Sequence, residues 1–192
     1  MKLLLLDADG VVLKQTSYFS TYYEKEKKLP EGTLLEFFKT DFVRCQEGKA
    51  DLKDALAGYL PDWNWIGNVD SFLEYWFAYD LHLNPRVMEH VKELQKKGIE
   101  CCLASNQEKY RAEFIQNLLE QNSPLDHYFF SCAIGYRKDS PEFFKSILKK
   151  LQVDPKKTMY LDNSNENLAA AITCGIQSYL YNETTLNSLL TT

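Results

Sequence analysis

Short apolar runs alternate with helical patterns over most of the chain. The runs cover residues 2–6, 99–104, 128–131, 158–161 and 176–181. Each is too short to be a good helix and is rich in strand-forming residues. Apolar residues recur at helical spacing over residues 84–97, 108–121, 141–151 and 164–174. This alternation predicts an α/β fold in which a mostly parallel sheet is covered by helices on both faces.

Residues 14–81 interrupt this alternation. They contain no convincing strand, and Pro30, Gly48 and the loop of residues 61–67 divide them into three or four helical patterns. The predicted helices span residues 17–28, 33–45, 51–60 and 69–79. We therefore predict two domains, which are an α/β core of residues 1–13 and 82–192 and a helical insertion of residues 14–81.

The composition narrows the classes of partner and compartment. The formal net charge is −5 and no segment concentrates lysine and arginine, which argues against a nucleic acid or an anionic membrane as partner. The first apolar run stops at Asp7, and no run reaches the roughly 20 residues of a membrane-spanning helix. We expect neither a membrane span nor a signal peptide. Five cysteines without a Cys-x-x-Cys spacing predict buried, reduced thiols and a cytoplasmic protein.

Polar residues follow four of the predicted strands. In chain order they are Asp7 and Asp9, Ser105 and Asn106, the segment 136–138 with Lys138, and Asp162 and Asn163. Each alone has an ordinary explanation as a turn residue, a helix cap or a solvated charge. Ligands of open parallel sheets bind beyond the carboxyl ends of the strands, so the four groups together predict one binding site.

These groups resemble the four motifs of the haloacid dehalogenase-like superfamily of phosphohydrolases. Residues 7–12 are similar to its first motif, Ser105 to its second, Lys138 to its third and residues 162–167 to its fourth. An EF-hand does not fit, because the glycine comes too early and an apolar strand precedes the acids. The resemblance implies a Rossmann-like three-layer core, and it implies that the insertion is the small α-helical cap of the first type in that superfamily.

The resemblance also implies roles for the residues at the strand ends. Asp7 would attack phosphorus and form an aspartyl phosphate, and Asp9 would protonate the leaving oxygen and then activate water. Lys138 would stabilise the transferred group as a point charge, while Ser105 and Asn106 would donate hydrogen bonds to its oxygens.

A metal ion belongs to the implied chemistry, because a dianionic phosphate repels a carboxylate nucleophile. By the resemblance, Mg²⁺ would be held by the carboxylates of Asp7 and Asp162 and by the backbone carbonyl of Asp9. Many relatives carry a second aspartate where this chain has Asn163, so we expect weaker metal affinity. The interpretation that we favour is that Asn163 is the N-cap of the next helix and that Glu166 closes a capping box. By the same resemblance, Asn167 would orient a water molecule beside the metal ligands.

The insertion holds all three tryptophans, and most of its aromatic residues recur at the spacing of a helix-bundle core. The candidates for substrate contact are Tyr18, Phe19 and Tyr22, which follow the first motif closely, and Arg44, which is the only arginine of the insertion. The chain also resembles the branch that includes sugar-phosphate phosphatases such as glucose-1-phosphatase.

The expected function is a Mg²⁺-dependent phosphatase of a small phosphorylated metabolite, with a sugar phosphate as one possibility. The intact pair of Asp7 and Asp9 favours phosphate chemistry over carbon–halogen cleavage. Two alternatives stay open, a phosphomutase on the same core and a regulatory protein that binds phosphate without turnover. We expect a monomer or a weak dimer.

Overall fold

The computed structural model describes residues 1–14, 17–79 and 82–190. Five parallel strands form one sheet in the order β3-β2-β1-β4-β5. The strands are β1 Leu3–Leu6, β2 Glu100–Ser105, β3 His127–Phe130, β4 Thr158–Asp162 and β5 Gln177–Leu180. This confirms the predicted α/β sheet, and the all-parallel pairing places the carboxyl ends of all five strands at one edge.

The central strand is buried on both of its faces, because it consists of four leucines with no exposed surface. Leu4 and Leu6 belong to one hydrophobic cluster, and Leu3 and Leu5 to the cluster on the opposite face. Successive side chains of a strand point to opposite faces, so this continuous apolar run is what a strand between two helical layers requires.

The described part of the insertion, residues 17–79, forms five helices that follow β1 in the chain. They are α1 Phe19–Lys27, α2 Leu35–Lys39, α3 Asp41–Gln46, α4 Leu52–Ala57 and α5 Val69–Tyr79. The prediction of one helix over residues 33–45 was wrong, because α2 ends and α3 begins at Thr40, whose φ of −120° and ψ of −85° are not helical. The apolar spacing of Phe37, Phe38 and Phe42 continues across this break and concealed it.

The remaining helices cover the sheet. They are α6 Pro85–Lys96, α7 Lys109–Asn122, α8 Ser131–Ile134, α9 Pro141–Leu151, α10 Asn165–Thr173 and α11 Glu183–Leu190, with a 3₁₀ turn at Pro155–Lys157. Helices α6 and α7 pack on one face of the sheet, and α9 and α10 on the other. The sequence predicted neither α8 nor α11. Among the described residues, no helix is long and apolar enough to cross a membrane.

The inserted helices have a separate core that is rich in aromatic rings. It is built around Trp63 and Phe72, which are almost completely buried, and the hydroxyl of Tyr23 donates to the carbonyl oxygen of Trp63 at 2.9 Å. The rings meet mostly edge to face or tilted, which is a favourable geometry for aromatic packing. Most of the aromatic residues therefore pack this core, as the helical spacing predicted.

The turn between α3 and α4 docks the inserted helices on the α/β core. Gly48 has a φ of +69°, and a Cβ atom at this position would collide with the carbonyl oxygen of Cys132. Asp51 caps α4 by accepting from the backbone N–H of Lys53, and it also pairs with Lys109 and accepts from the Tyr110 hydroxyl at 3.0 Å. The first turn of α7 thus touches the inserted helices.

Candidate active site

A buried ion cluster lies at the carboxyl ends of the central strand β1 and its neighbour β4. The Nζ atom of Lys138 contacts Oδ1 of Asp7 and lies 2.7 Å from Oδ2 of Asp162. These side chains are buried, with 2% of Lys138, 5% of Asp7 and none of Asp162 exposed. Two carboxylates and one ammonium leave one unbalanced negative charge, which is a suitable place for a further cation.

Burial and the neighbouring charges act on the cluster in opposite directions. Burial raises the pKa of Asp7 above its ordinary value, and the charges of Asp162 and Asp9 act in the same direction. Together they outweigh the attraction of the Lys138 charge. Burial alone would lower the pKa of Lys138, but Asp7 and Asp162 together raise it, so the lysine stays charged. Lys138 is therefore a fixed positive charge directly beside the Asp7 carboxylate.

Asp162 is held in one orientation by donors on several sides. The Tyr160 hydroxyl contacts its Oδ2 atom, and the backbone N–H of Ser164 donates to Oδ1 at 2.7 Å. Asn167 donates to both carboxylate oxygens, at 3.3 and 3.1 Å, rather than standing free to orient water. The sequence did not identify Tyr160, which reads as an ordinary strand hydrophobe.

The side chain of Asp9 is held from outside the predicted motifs. Arg111 donates to both of its carboxylate oxygens, at 3.1 and 2.8 Å, and Gln107 donates to Oδ2 at 2.6 Å. Burial would raise the pKa of Asp9, but the charge of Arg111 and these hydrogen bonds lower it below its ordinary value. The sequence analysis missed both residues. Gln107 immediately precedes the N-cap of α7 and Arg111 lies in its first turn. Their place just after Ser105 and Asn106, at the start of a predicted helix, is the signal that could have indicated them.

Asn163 contacts the main chain of the first motif. Its Nδ2 atom donates to the backbone carbonyl of Asp9 at 2.9 Å. The prediction that Asn163 caps the following helix was wrong, because the N-cap of α10 is Ser164 and makes no side-chain capping bond. Glu166 is exposed at the start of that helix. The sequence could not distinguish these roles, since asparagine is common both as a cap and at a loop contact.

Ser105 ends β2 and Asn106 follows it at the edge of the same site. The buried hydroxyl of Ser105 accepts from Gln107 Nε2 at 3.1 Å. The side-chain oxygen of Asn106 accepts from the backbone N–H of Lys138 at 2.8 Å. This bond matters because the helical turn α8 separates β3 from Lys138, so the lysine does not directly follow a strand. Asn106 therefore positions the segment that carries Lys138.

A cavity of about 480 Å³ lies between the strand ends and the inserted helices. Of the residues predicted for the site, it is lined by Asp7, Asp9, Tyr18, Phe19, Ser105, Asn106, Lys138, Asn163 and Asn167. Asp162 lies behind Lys138 and is not part of the lining. The structure does not bring Arg44 to the cavity, because this residue is exposed on α3. Arg111 and Arg137 of the α/β core supply the guanidinium groups there.

The donor set at this edge fits a magnesium ion. The oxygens near this edge are those of the Asp7 and Asp162 carboxylates and the Asp9 carbonyl, which are hard donors, and each group already accepts a hydrogen bond from within the protein. Magnesium in proteins is commonly held by one or two carboxylates together with water and substrate oxygens. Over residues 1–14, 17–79 and 82–190, no group of three or more His, Cys, Asp or Glu side chains is arranged around a common point. Any ion here would therefore depend strongly on water and phosphate oxygens.

Comparisons with known proteins bear on the family and the fold of the chain. The family model described as haloacid dehalogenase-like hydrolase matches residues 1–175. The chain is 26% identical over 106 residues to bifunctional epoxide hydrolase 2 of Rattus norvegicus, a segment that makes up 53% of this chain and 19% of the rat protein. The chain thus spans about a fifth of that relative's length.

A relative of similar size is the phosphorylated carbohydrates phosphatase of Thermotoga maritima, which is 24% identical over 179 residues covering 92% of this chain and 83% of that protein. Among solved structures, a magnesium complex of an HAD family enzyme from Bacteroides thetaiotaomicron has a TM-score of 0.79 at 18% identity. It covers 95% of this chain and 93% of its own. At this identity the match establishes the fold alone.

Proposed function

The chain belongs to the haloacid dehalogenase-like hydrolases, and from this premise we propose that it is a Mg²⁺-dependent phosphatase of a small phosphorylated metabolite. The observation that carries the proposal is the placement of Asp7, buried against the charged Lys138, and Asp9, held by Arg111, at one cavity. A nucleophile, a fixed positive charge and a second carboxylate are the groups that phosphate ester hydrolysis needs. The Thermotoga relative, by its name, acts on phosphorylated carbohydrates.

In the proposed reaction, a carboxylate oxygen of Asp7 forms a bond to phosphorus while the bond from phosphorus to the leaving oxygen breaks. Asp9 gives its proton to that leaving oxygen, and afterwards takes a proton from the water that hydrolyses the aspartyl phosphate. A bound phosphate dianion raises the proton affinity of a neighbouring carboxylate, which opposes the effect of Arg111 on Asp9. Lys138 and the Ser105 hydroxyl stabilise the phosphoryl oxygens.

Magnesium, held by Asp7, Asp162 and the Asp9 carbonyl, would supply charge neutralisation for the phosphoryl group. In this proposal residues 14–81 are the cap that covers the cavity, Tyr18 contacts the substrate at its rim, and the protein is a cytoplasmic monomer or weak dimer. Arg44 is no longer favoured as a substrate contact, since it is exposed away from the cavity.

The test is hydrolysis of an aryl phosphate by the purified chain with magnesium. We expect Asp7→Asn to lower kcat by about a thousandfold or more, because it removes the nucleophile while keeping the shape of the side chain. The matched control is Asp70→Asn, which makes the same change at an exposed site on α5. Activity that survives Asp7→Asn at the wild-type level would exclude Asp7 as the nucleophile.

One contact favours a second candidate, a regulatory protein that binds phosphate without turnover. The amide of Asn163 donates to the Asp9 carbonyl, the atom that would otherwise be free to face a metal ion. Calorimetry that detects binding of magnesium and inorganic phosphate, together with no hydrolysis across a panel of phosphorylated metabolites, would favour this candidate over the phosphatase.

A further inference from the structure

The two sides of the cavity differ in their chemistry. The side formed by the strand ends and α7 carries the charged and polar groups, among them Asp7, Asp9, Lys138 and Arg111. The inserted helices supply mainly an apolar wall, which consists of Phe19, Leu35, Phe38, Phe42 and Trp76. None of the described insertion residues that line the cavity is charged. The phosphate and the leaving group would therefore meet surfaces of opposite character.

The apolar wall is fixed by contacts among its own rings. Trp76 lies at its centre, with ring centroids 5.4 Å from Phe19, 5.3 Å from Phe38 and 5.5 Å from Phe42. Trp76 and Phe19 are each only 4% exposed. Rings packed in this way cannot swing aside to admit water, so the wall presents a preformed apolar surface to whatever enters the cavity.

Few polar groups of the inserted helices could serve a polyhydroxylated leaving group. The Gln46 amide already donates to the Asn106 carbonyl at 3.1 Å. Tyr18 is 71% exposed and lies at the rim, and Ser20 supplies one small hydroxyl. Sugar hydroxyls pressed against the apolar wall would lose hydrogen bonds to water without replacing them, which is costly. An apolar group would gain by leaving water.

We propose that the preferred substrate is a phosphate monoester whose leaving group is mainly apolar, an aryl or alkyl alcohol rather than a sugar. This inference rests on the proposed phosphatase function and deepens it. The phosphate lies against Asp7, Lys138 and Ser105, and the alcohol portion lies against the apolar wall. The cavity volume of about 480 Å³ suits a small organic molecule of this kind.

The test compares 2-phenylethyl phosphate with glucose 6-phosphate. Both are esters of primary alcohols, so the difference in their rates reports mainly on recognition of the alcohol portion. We expect kcat/KM to be at least about tenfold higher for 2-phenylethyl phosphate. Leu35→Asn should lower kcat/KM for this substrate by about three- to tenfold, mainly through a higher KM, because it places an amide in the apolar wall.

The control for Leu35→Asn is Ile66→Asn, since Ile66 is another exposed aliphatic residue of the insertion, 99% exposed and outside the cavity lining. Leu35 is itself 43% exposed, so both variants should fold. We expect the control to leave both kinetic constants unchanged. An equal loss in the two variants would overturn the role of Leu35 and, with it, of the apolar wall.

The remaining outcomes separate the two proposals. Equal or faster hydrolysis of glucose 6-phosphate overturns the inference and leaves the phosphatase standing. Hydrolysis of neither ester removes support from the phosphatase, and calorimetry with the non-hydrolysable 2-phenylethylphosphonate then decides the inference alone. Binding that Leu35→Asn weakens and Ile66→Asn does not supports the apolar site, whereas no binding overturns it.

Discussion

Arg111 reaches Asp9 from the first turn of α7 and grips both carboxylate oxygens, at 3.1 and 2.8 Å. A guanidinium can hold a carboxylate by two parallel hydrogen bonds, whereas an ammonium acts as a point charge and cannot fix its rotation. Arg111 is therefore placed to orient Asp9 as well as to attract it. Gln107, the residue before the N-cap of α7, donates a further hydrogen bond to Oδ2 of Asp9.

We expect Arg111→Lys to lower kcat by about ten- to a hundredfold while KM changes little, because misplacement of a proton-transferring group slows the chemical step. Steady-state kinetics with an aryl phosphate measures both constants. Arg86→Lys is the control, since Arg86 is exposed on α6 and pairs with Glu183. A change confined to KM would show that Arg111 binds substrate and does not position Asp9.

Asn163 provides a second prediction for a single residue. Asn163→Asp replaces the amide that donates to the Asp9 carbonyl with a carboxylate at the same place. We expect the Kd for magnesium to fall by about tenfold, which corresponds to about 1.4 kcal/mol, because the change adds a hard anionic donor. Calorimetry with magnesium alone gives this value. The control Asn165→Asp adds the same charge at an exposed position two residues away, and equal tightening in both would indicate a general charge effect.

For single residues, the sequence identified the site groups that lie at the ends of strands and missed those that enter the site from the start of α7. Asp7 and Asp162 could be predicted because each follows an apolar strand that has to be buried. Arg111 could not be, since an arginine on an amphipathic helix is usually solvated and only the packing of α7 on the sheet directs it inward. Arg44 shows the opposite error, as a lone arginine in the insertion proved to be exposed.

Among the elements, the short turn between α3 and α4 sets how the insertion meets the core. Gly48 combines a left-handed φ of +69° with close approach to the Cys132 carbonyl. The two requirements are independent, and only glycine meets both without strain. The turn therefore fixes the distance between the insertion and the α/β core as well as the direction in which the chain leaves α3.

We expect Gly48→Ala to lower the free energy of unfolding by about 2 kcal/mol or more, the sum of a positive-φ penalty and a backbone collision. Urea denaturation measures the loss. Gly58→Ala is the control, because Gly58 has a φ of −76° and its added Cβ would meet open space. It should stay within about 0.5 kcal/mol of the wild type. Similar losses in both variants would show that the collision with Cys132 is relieved at no cost.

Element boundaries were harder to predict than element types. The strands and the helices over residues 84–97, 108–121 and 141–151 follow from apolar periodicity, which reports burial directly. The break at Thr40 and the turn α8 do not, because each leaves the apolar spacing intact and changes only the backbone path. The cavity depends on both, since α3 carries part of the apolar wall and α8 precedes Lys138.

For the whole molecule, Glu108 links stability to pH. It is 1% exposed, and its side chain caps α7. Burial raises the pKa of Glu108 to about 7, and the charge of Asp51 acts in the same direction. The backbone N–H groups of Tyr110 and Arg111 and the charge of Arg111 lower the pKa but do not offset burial. In the unfolded chain Glu108 has its ordinary pKa of 4.5 and loses its proton at a lower pH than in the folded chain. Stability from this group is fully present below pH 4.5 and is lost as the pH rises towards about 7.

We expect the wild type to lose about 2 to 3 kcal/mol relative to Glu108→Gln between pH 4.5 and pH 7.5, because the glutamine cannot ionise. Urea denaturation of both proteins across this range gives the difference. Glu113→Gln, on the exposed side of α7, should show no such change relative to the wild type. A constant difference between wild type and Glu108→Gln would exclude Glu108 as the source.

Three consecutive residues of α7 face in two directions. Lys109 and Tyr110 contact Asp51 of the insertion, and Arg111 holds Asp9. A lineage that reshaped the insertion would have to preserve this one helical turn, since losing it would also release the Asp9 carboxylate. The shape of the insertion and the orientation of Asp9 are therefore constrained to evolve together in this chain.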